Sequence, residues 1–159
     1  MKIWILLLAT VVGLAGCNDT IAFKEYQDIE DGKWFVNTAP AFTFRIDDTT
    51  QAYNLYYNLR NSVSYPYYNL YLTRYLTDST GREIESRLDE LILMDPKTGK
   101  PRGDGLGDIY DHKVLFKGNY RFPKPGQYTL RIKQYMRQNP LPDILSVGIS
   151  VEKAAAAAP

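Results

Sequence analysis

The residues best equipped for chemistry crowd into one stretch, GKPRGDGLGDIYDHK, residues 99–113. It holds Gly103, Gly105 and Gly107 in alternation, the carboxylates of Asp104, Asp108 and Asp111, the only histidine, His112, and an Arg-Gly-Asp tripeptide. Alternating glycines could let backbone amides approach a phosphate. A dinucleotide fingerprint, however, follows a buried strand and opens a helix, and a proline-flanked turn does neither. The three aspartates could offer oxygen ligands to calcium, although not at EF-hand spacing. The bland alternative is a glycine-paved irregular loop whose aspartates face water or bond their own backbone, with His112 turned to solvent and idle. Asp104, Asp108 and Asp111 remain the candidates for a cation or a loop contact.

Elsewhere the catalytic inventory is thin. Cys17 is the only cysteine, so no intrachain disulfide can form. One imidazole with no Gly-x-Ser-x-Gly elbow offers no nucleophile pair, and a zinc site needs several His or Cys ligands. Two facing carboxylates could serve a glycosidase, but among eighteen acidic residues their presence says nothing. The expectation is a protein without enzymatic activity and with no cofactor beyond a possible calcium ion.

Cys17 itself has a clearer use. Residues 1–17 read MKIWILLLATVVGLAGC, a lysine followed by an apolar run from Ile3 to Leu14. That run is shorter than the ~20 residues of a bilayer span and has the shape of a secretory signal. Leu-Ala-Gly-Cys then resembles the bacterial lipobox, in which the cysteine is acylated and becomes the new N-terminus. A diacylglycerol supplies the two chains that stable anchoring takes. The expected organisation is a signal peptide over 1–16, a lipidated tether over 17–22, one domain over 23–152 and a disordered tail over 153–159. Loss of Lys2 leaves eighteen basic against eighteen acidic side chains, a balance that argues against nucleic acid as a partner.

The tyrosines form a second anomaly, since eight of thirteen lie between Tyr53 and Tyr75. If AYNLYYNLR and YNLYLTRYLT pair as a hairpin, Tyr56, Tyr71 and Tyr75 emerge together on the less aliphatic face, with Tyr67 in the turn between. They could form a cross-strand ladder, a protein contact surface, or a platform on which sugar rings stack.

The elements that would position these groups alternate with period two almost throughout. Phe42, Phe44 and Ile46 share one face, as do Tyr53, Leu55, Tyr57 and Leu59, and again Leu70, Leu72 and Leu76. Strands are predicted near 22–29, 41–46, 52–60, 68–77, 86–94, 113–121, 127–136 and 144–152, with turns at Asp95–Gly99 and Pro123–Gly126. Residues 81–95 also offer helical spacing at Ile84, Leu88, Leu91 and Ile92, but strand is favoured. Short strands without βαβ alternation predict an all-β fold, a single-domain antiparallel β-sandwich of roughly seven to nine strands.

Several motifs in order resemble one family. YNLYYNLRNSVSYPYYNLYL is similar to the Ile-Arg-Asn…Tyr-Pro-Tyr…Asn-Leu core of the GldH gliding-motility lipoproteins of Bacteroidetes. YQDIEDGKW, GDGLGDIYD and PGQYTLRIKQYMRQNPLPDILSVGISVE agree with it in sequence order. One departure is Pro101-Arg102, where members tend to carry an aromatic ahead of Gly-Asp-Gly. The resemblance implies a small lipoprotein needed for gliding, associated with machinery that also serves type IX secretion, with no established catalytic residue. Asn18 and the single acid Asp19 after Cys17 point to the periplasmic leaflet of the outer membrane, with envelope proteins as partners.

Overall fold

The alternation in the sequence reappears as burial in the computed structural model, which describes residues 20–155. Nine strands form: β1 (Ile21–Asp28), β2 (Ala41–Ile46), β3 (Tyr53–Ser62), β4 (Asn69–Asp78), β5 (Glu83–Ile92), β6 (Asp104–Leu106), β7 (Ile109–Tyr120), β8 (Gly126–Gln134) and β9 (Ile144–Lys153). Among the described residues the only helical element is a 3₁₀ turn, Glu30–Gly32. Sheet one has the order β1-β9-β3-β7-β6 and sheet two β2-β8-β4-β5, antiparallel throughout. The expected single-domain β-sandwich is therefore present. The signal peptide, Cys17, the start of the tether and residues 156–159 lie outside the described residues.

The interior is filled by the predicted faces. Phe42, Phe44 and Ile46 of β2 and Leu70, Leu72 and Leu76 of β4 meet Tyr53, Leu55, Tyr57 and Leu59 of β3. Each fully buried aliphatic or aromatic side chain contributes ~1.5–3 kcal/mol. Aromatic plugs close both ends. Phe122 packs between Tyr128 (ring centroids 4.6 Å apart) and Tyr120 (4.8 Å). At the other end Trp34 is buried, and its indole N–H donates to the Thr38 carbonyl at 2.8 Å.

Two expectations about the fold need correction. β3 and β4 do not pair; β3 lies between β9 and β7 in sheet one, and β4 between β8 and β5 in sheet two. Both strands carry one largely apolar face, interrupted in β4 by Arg74, and facing each other across the interior buries both faces. The strand favoured over the helical spacing of 81–95 forms as β5, whose pairing along β4 leaves Leu88 exposed and Leu91 buried. Residues 99–113 are not an irregular loop: β6 and β7 make a hairpin whose tip includes Gly107 at φ 62°.

One irregularity draws charge into the interior. The β3–β7 register passes from Tyr56↔Leu115 to Leu55↔Lys117, leaving Phe116 as an extra, bulged residue. A bulge re-aims the side chains around it, so Lys117 falls opposite inward-facing Leu55. There it pairs with Glu85 of β5. Arg74 of β4, only 2% exposed, bonds Glu85 through Nε at 3.0 Å and also pairs with Asp89. The Tyr57 hydroxyl of β3 donates to Asp89 at 2.6 Å, and the Phe116 ring lies 4.8 Å from the guanidinium carbon. Burial alone would raise Glu85, but Lys117 and Arg74 outweigh it and hold the carboxyl below its ordinary value.

Removing one member of a buried ionic group strands the others. Arg74→Ala should therefore lower the unfolding free energy by about 3 kcal/mol, measured by urea denaturation. An unchanged midpoint would show that the cluster has no structural weight.

Candidate interaction surface

Topology gives the sandwich two distinct poles. β1 and β3 start, and β7 and β9 end, at one of them, together with the β2–β3, β4–β5 and β7–β8 connections. Lys153 N–H donates there to the Thr20 carbonyl at 2.7 Å, and Ala154 N–H to Ala52 at 2.8 Å. Residues 29–40, 63–68, 93–103 and 135–143 lie at the opposite pole.

The predicted tyrosines divide between the faces. Tyr56 lies on the outer face of sheet one, where the Lys113 ammonium sits 4.3 Å from its ring centroid. Tyr71 and Tyr75 lie on the outer face of sheet two. The three therefore do not form one patch, because their strands belong to different sheets. Tyr67 joins Tyr71, at the pole far from Thr20. Its ring meets buried Tyr65 edge to face at 5.8 Å, and its hydroxyl donates to Gln138 Oε1 at 2.6 Å.

Around Tyr67 and Tyr71 the surface opens into a cleft of about 420 Å³, completed by Leu88, Tyr135, Met136 and Arg137. The Tyr135 N–H donates to the Tyr71 carbonyl at 2.8 Å, prolonging the β8–β4 ladder past Gln134. The Tyr71 N–H meets Met136 Sδ at 3.3 Å. Leu88 and Tyr135 are 50% and 63% exposed. An open, mainly apolar cleft bordered by tyrosine hydroxyls and Arg137 has the anatomy of an interface core with its rim. Glu90, hydrogen-bonded to the Tyr71 hydroxyl, pushes that phenol above its ordinary value. Sequence reasoning missed Leu88, Tyr135, Met136 and Arg137.

The hairpin aspartates do not converge. Asp104 and Asp111 are partners in the β6–β7 ladder, and Asp111 accepts from Arg60 Nε at 2.9 Å. The Asp108 carbonyl accepts from Val63 N–H at 2.7 Å. Among the described residues no group of three or more His, Cys, Asp or Glu side chains gathers as a metal set. The glycines instead make room for side chains of β7. A Cβ on Gly103 would lie 2.5 Å from the Asp111 carbonyl oxygen and 2.8 Å from the His112 ring, and one on Gly105 would lie 2.5 Å from the Tyr110 ring. His112 is buried, with Nε2 2.8 Å from Asn61 Oδ1, so its expected exposure is wrong. The alternation His112-x-Val114-x-Phe116, all at least partly buried, was the signal for its inward direction.

The GldH lipoprotein family model matches residues 21–151. A gliding motility lipoprotein GldH homolog of Christiangramia forsetii is 30% identical over 152 residues, 91% of each chain. The gliding motility lipoprotein GldH of Flavobacterium johnsoniae is 31% identical over 156 residues, 94% of each chain. A chain from infectious bursal disease virus, Gt strain, has a TM-score of 0.36 at 12% identity, over 81% of this chain and 30% of that one. That likeness is too slight to bear on function. The chain belongs to the GldH lipoprotein family.

His112 gives the hairpin a pH signature. Burial holds its imidazole below the ordinary value of 6.5, with Asp111 and Asp104 opposing in part. As pH falls, the unfolded chain therefore takes up this proton before the folded one. The site's stability is intact above the ordinary value and declines as pH drops below it. Asp48, Asp78, Asp95 and Glu85, all lowered, act only below about pH 4.5. Between about pH 7 and 5 the melting temperature should fall in the wild type and fall less in His112→Gln. Equal slopes would contradict a buried neutral imidazole.

Proposed function

We propose that this lipoprotein, a membrane-anchored and extracytoplasmic protein of no enzymatic activity, supports gliding motility through protein–protein contacts. Acylation at Cys17 would hold it to the periplasmic leaflet of the outer membrane. Its partners would be envelope proteins of the gliding apparatus and of the type IX secretion machinery associated with it. The observation that carries this reading is similarity along almost the whole chain to two gliding motility lipoproteins.

The geometry adds a direction to the anchor. From Cys17 to the start of β1 at Ile21 the chain can reach about 14 Å at full extension. A tether that short keeps the pole holding Thr20 next to the bilayer. The cleft, at the opposite end of strands ten residues long, would then stand roughly 30 Å further out. That is a position suited to contacting a neighbour.

A second reading has one observation in its favour. Tyr67, Tyr71 and Tyr135 border one cleft, and aromatic rings can stack on sugar faces, so a glycan ligand would also find a platform. Saturable quenching of tyrosine and tryptophan emission by polysaccharides would favour it over protein contact.

The test of the main reading uses a gliding bacterium lacking its own copy of the protein. The wild-type chain should fractionate with membranes and restore colony spreading. Cys17→Ser should leave an uncleaved precursor or a released protein, without spreading. Mature, membrane-bound Cys17→Ser with normal spreading would overturn the anchoring claim.

A further inference from the structure

The outer faces of the two sheets treat their charges differently. On sheet one two of the outward cations have carboxylate partners, Arg60 2.9 Å from Asp111 and Lys113 2.6 Å from Glu152, while Lys24 lies over the Tyr26 ring. On sheet two Arg131, Lys133 and Arg137 have no carboxylate within 4.0 Å among the described residues. Arg131 lies flat on a tyrosine, its guanidinium carbon 4.9 Å from the Tyr75 ring centroid. Nearby Glu90 is engaged by the Asn69 amide at 2.6 Å. This face therefore offers positive charge that the fold does not use.

The spacing of that charge is informative. Arg131, Lys133 and Tyr135 occupy alternate positions along β8 and its extension, opposite Tyr75, Thr73 and Tyr71 of β4. Alternate residues of a strand stand roughly 6.7 Å apart, the same repeat as alternate side chains of any extended peptide. A row of cations at that repeat, running into an apolar cleft, matches acidic side chains on one edge of an extended chain followed by an apolar one. The cleft walls are mainly ring carbons, a leucine methyl end and a thioether, a lining suited to an apolar side chain.

We infer that the outer face of sheet two binds an extended acidic segment of a partner envelope protein, carboxylates on Arg131, Lys133 and Arg137 and one apolar side chain in the cleft between Tyr71, Leu88 and Tyr135. This rests on the reading of the chain as an anchored contact protein and names its surface and its partner's chemistry. The cations supply steering and register, which makes binding salt-dependent. The cleft supplies the desolvated anchor point.

The binding experiment uses isotope-labelled, detergent-solubilised acylated protein and three probes. They are a ten-residue peptide alternating glutamate and serine around a central leucine, the same peptide with lysine for glutamate, and alginate. The glutamate peptide should shift amide resonances of β4, β8 and residues 135–137 saturably, weakening as salt is raised, while the lysine peptide should not. Arg131→Glu with Lys133→Glu should weaken it about tenfold or more, as should Leu88→Asp, whereas Tyr26→Ala on sheet one should change nothing. No saturable shift, a shift mapped to sheet one, or binding of alginate alone would overturn the proposal. In gliding cells the Arg131→Glu, Lys133→Glu protein should reach the membrane and fail to support spreading. Normal spreading by it, while Cys17→Ser fails to spread, would remove the docking face and leave the anchored gliding role standing. Normal spreading by both would remove the anchored gliding role itself, and with it the docking claim.

Discussion

A guanidinium almost closed off from water sits between the two sheets, and the surrounding structure is arranged to neutralise it. Arg74 occupies an inward position of β4, where alternation would otherwise place an aliphatic side chain. Glu85 and Asp89 of β5 answer its charge, Tyr57 of β3 bonds the same Asp89, and the bulge at Phe116 brings in both a ring and Lys117. A buried ionic group of this kind need not add net stability over an apolar replacement. What it does supply is connection. It ties β5, an edge strand with few buried side chains, to β3 and β7 of the opposite sheet. The position of β5 then fixes Leu88 beside Tyr71 and so shapes the outer cleft.

Two asymmetries follow from that frame. Along the strands, the first described residues and the end of β9 share one pole, while the cleft and the tyrosine-rich 63–68 connection occupy the other. Across the sandwich, sheet one pairs Arg60 and Lys113 with its own carboxylates, and sheet two leaves Arg131, Lys133 and Arg137 without one among the described residues. In a family of lipoproteins these asymmetries have a direct meaning. An N-terminus acylated at Cys17, as proposed, would set which pole meets the bilayer and leave the unmatched face where a second protein could reach it.

The sequence disclosed the strands because inward positions alternate cleanly in β2, β3 and β4, and the sandwich follows from that pattern. It also placed Tyr71 and Tyr75 outward. It did not disclose which strands are neighbours. Nearness in sequence suggested that β3 and β4 pair, yet each has a largely apolar face, and burying both is best done across the interior. The inward turn of Lys117 depends on a single bulged residue and breaks the alternation, so no period could reveal it. His112 was legible, since it keeps step with Val114 and Phe116, but its polarity suggested solvent. Gly103 and Gly105 looked chemical and are steric, making room for His112 and Tyr110. The cleft was hidden because Tyr135, Met136 and Arg137 lie beyond the end of β8 and meet Leu88 only through the sheet. Even so, the alternation of Arg131, Lys133, Tyr135 and Arg137 was present in RIKQYMR.

The central claim is that the anchored domain stands with its cleft pole away from the membrane. Spin labels placed singly at Thr80, Val63 and Ser86 of the acylated protein in liposomes test it, read by relaxation from a paramagnetic headgroup lipid. Thr80, in the β4–β5 turn near the Thr20 pole, should relax strongly, and Val63 at the far pole should be unaffected, with Ser86 on sheet two between them. Equal relaxation at Thr80 and Val63, or stronger relaxation at Val63, would mean the domain lies flat or inverted and would contradict the account.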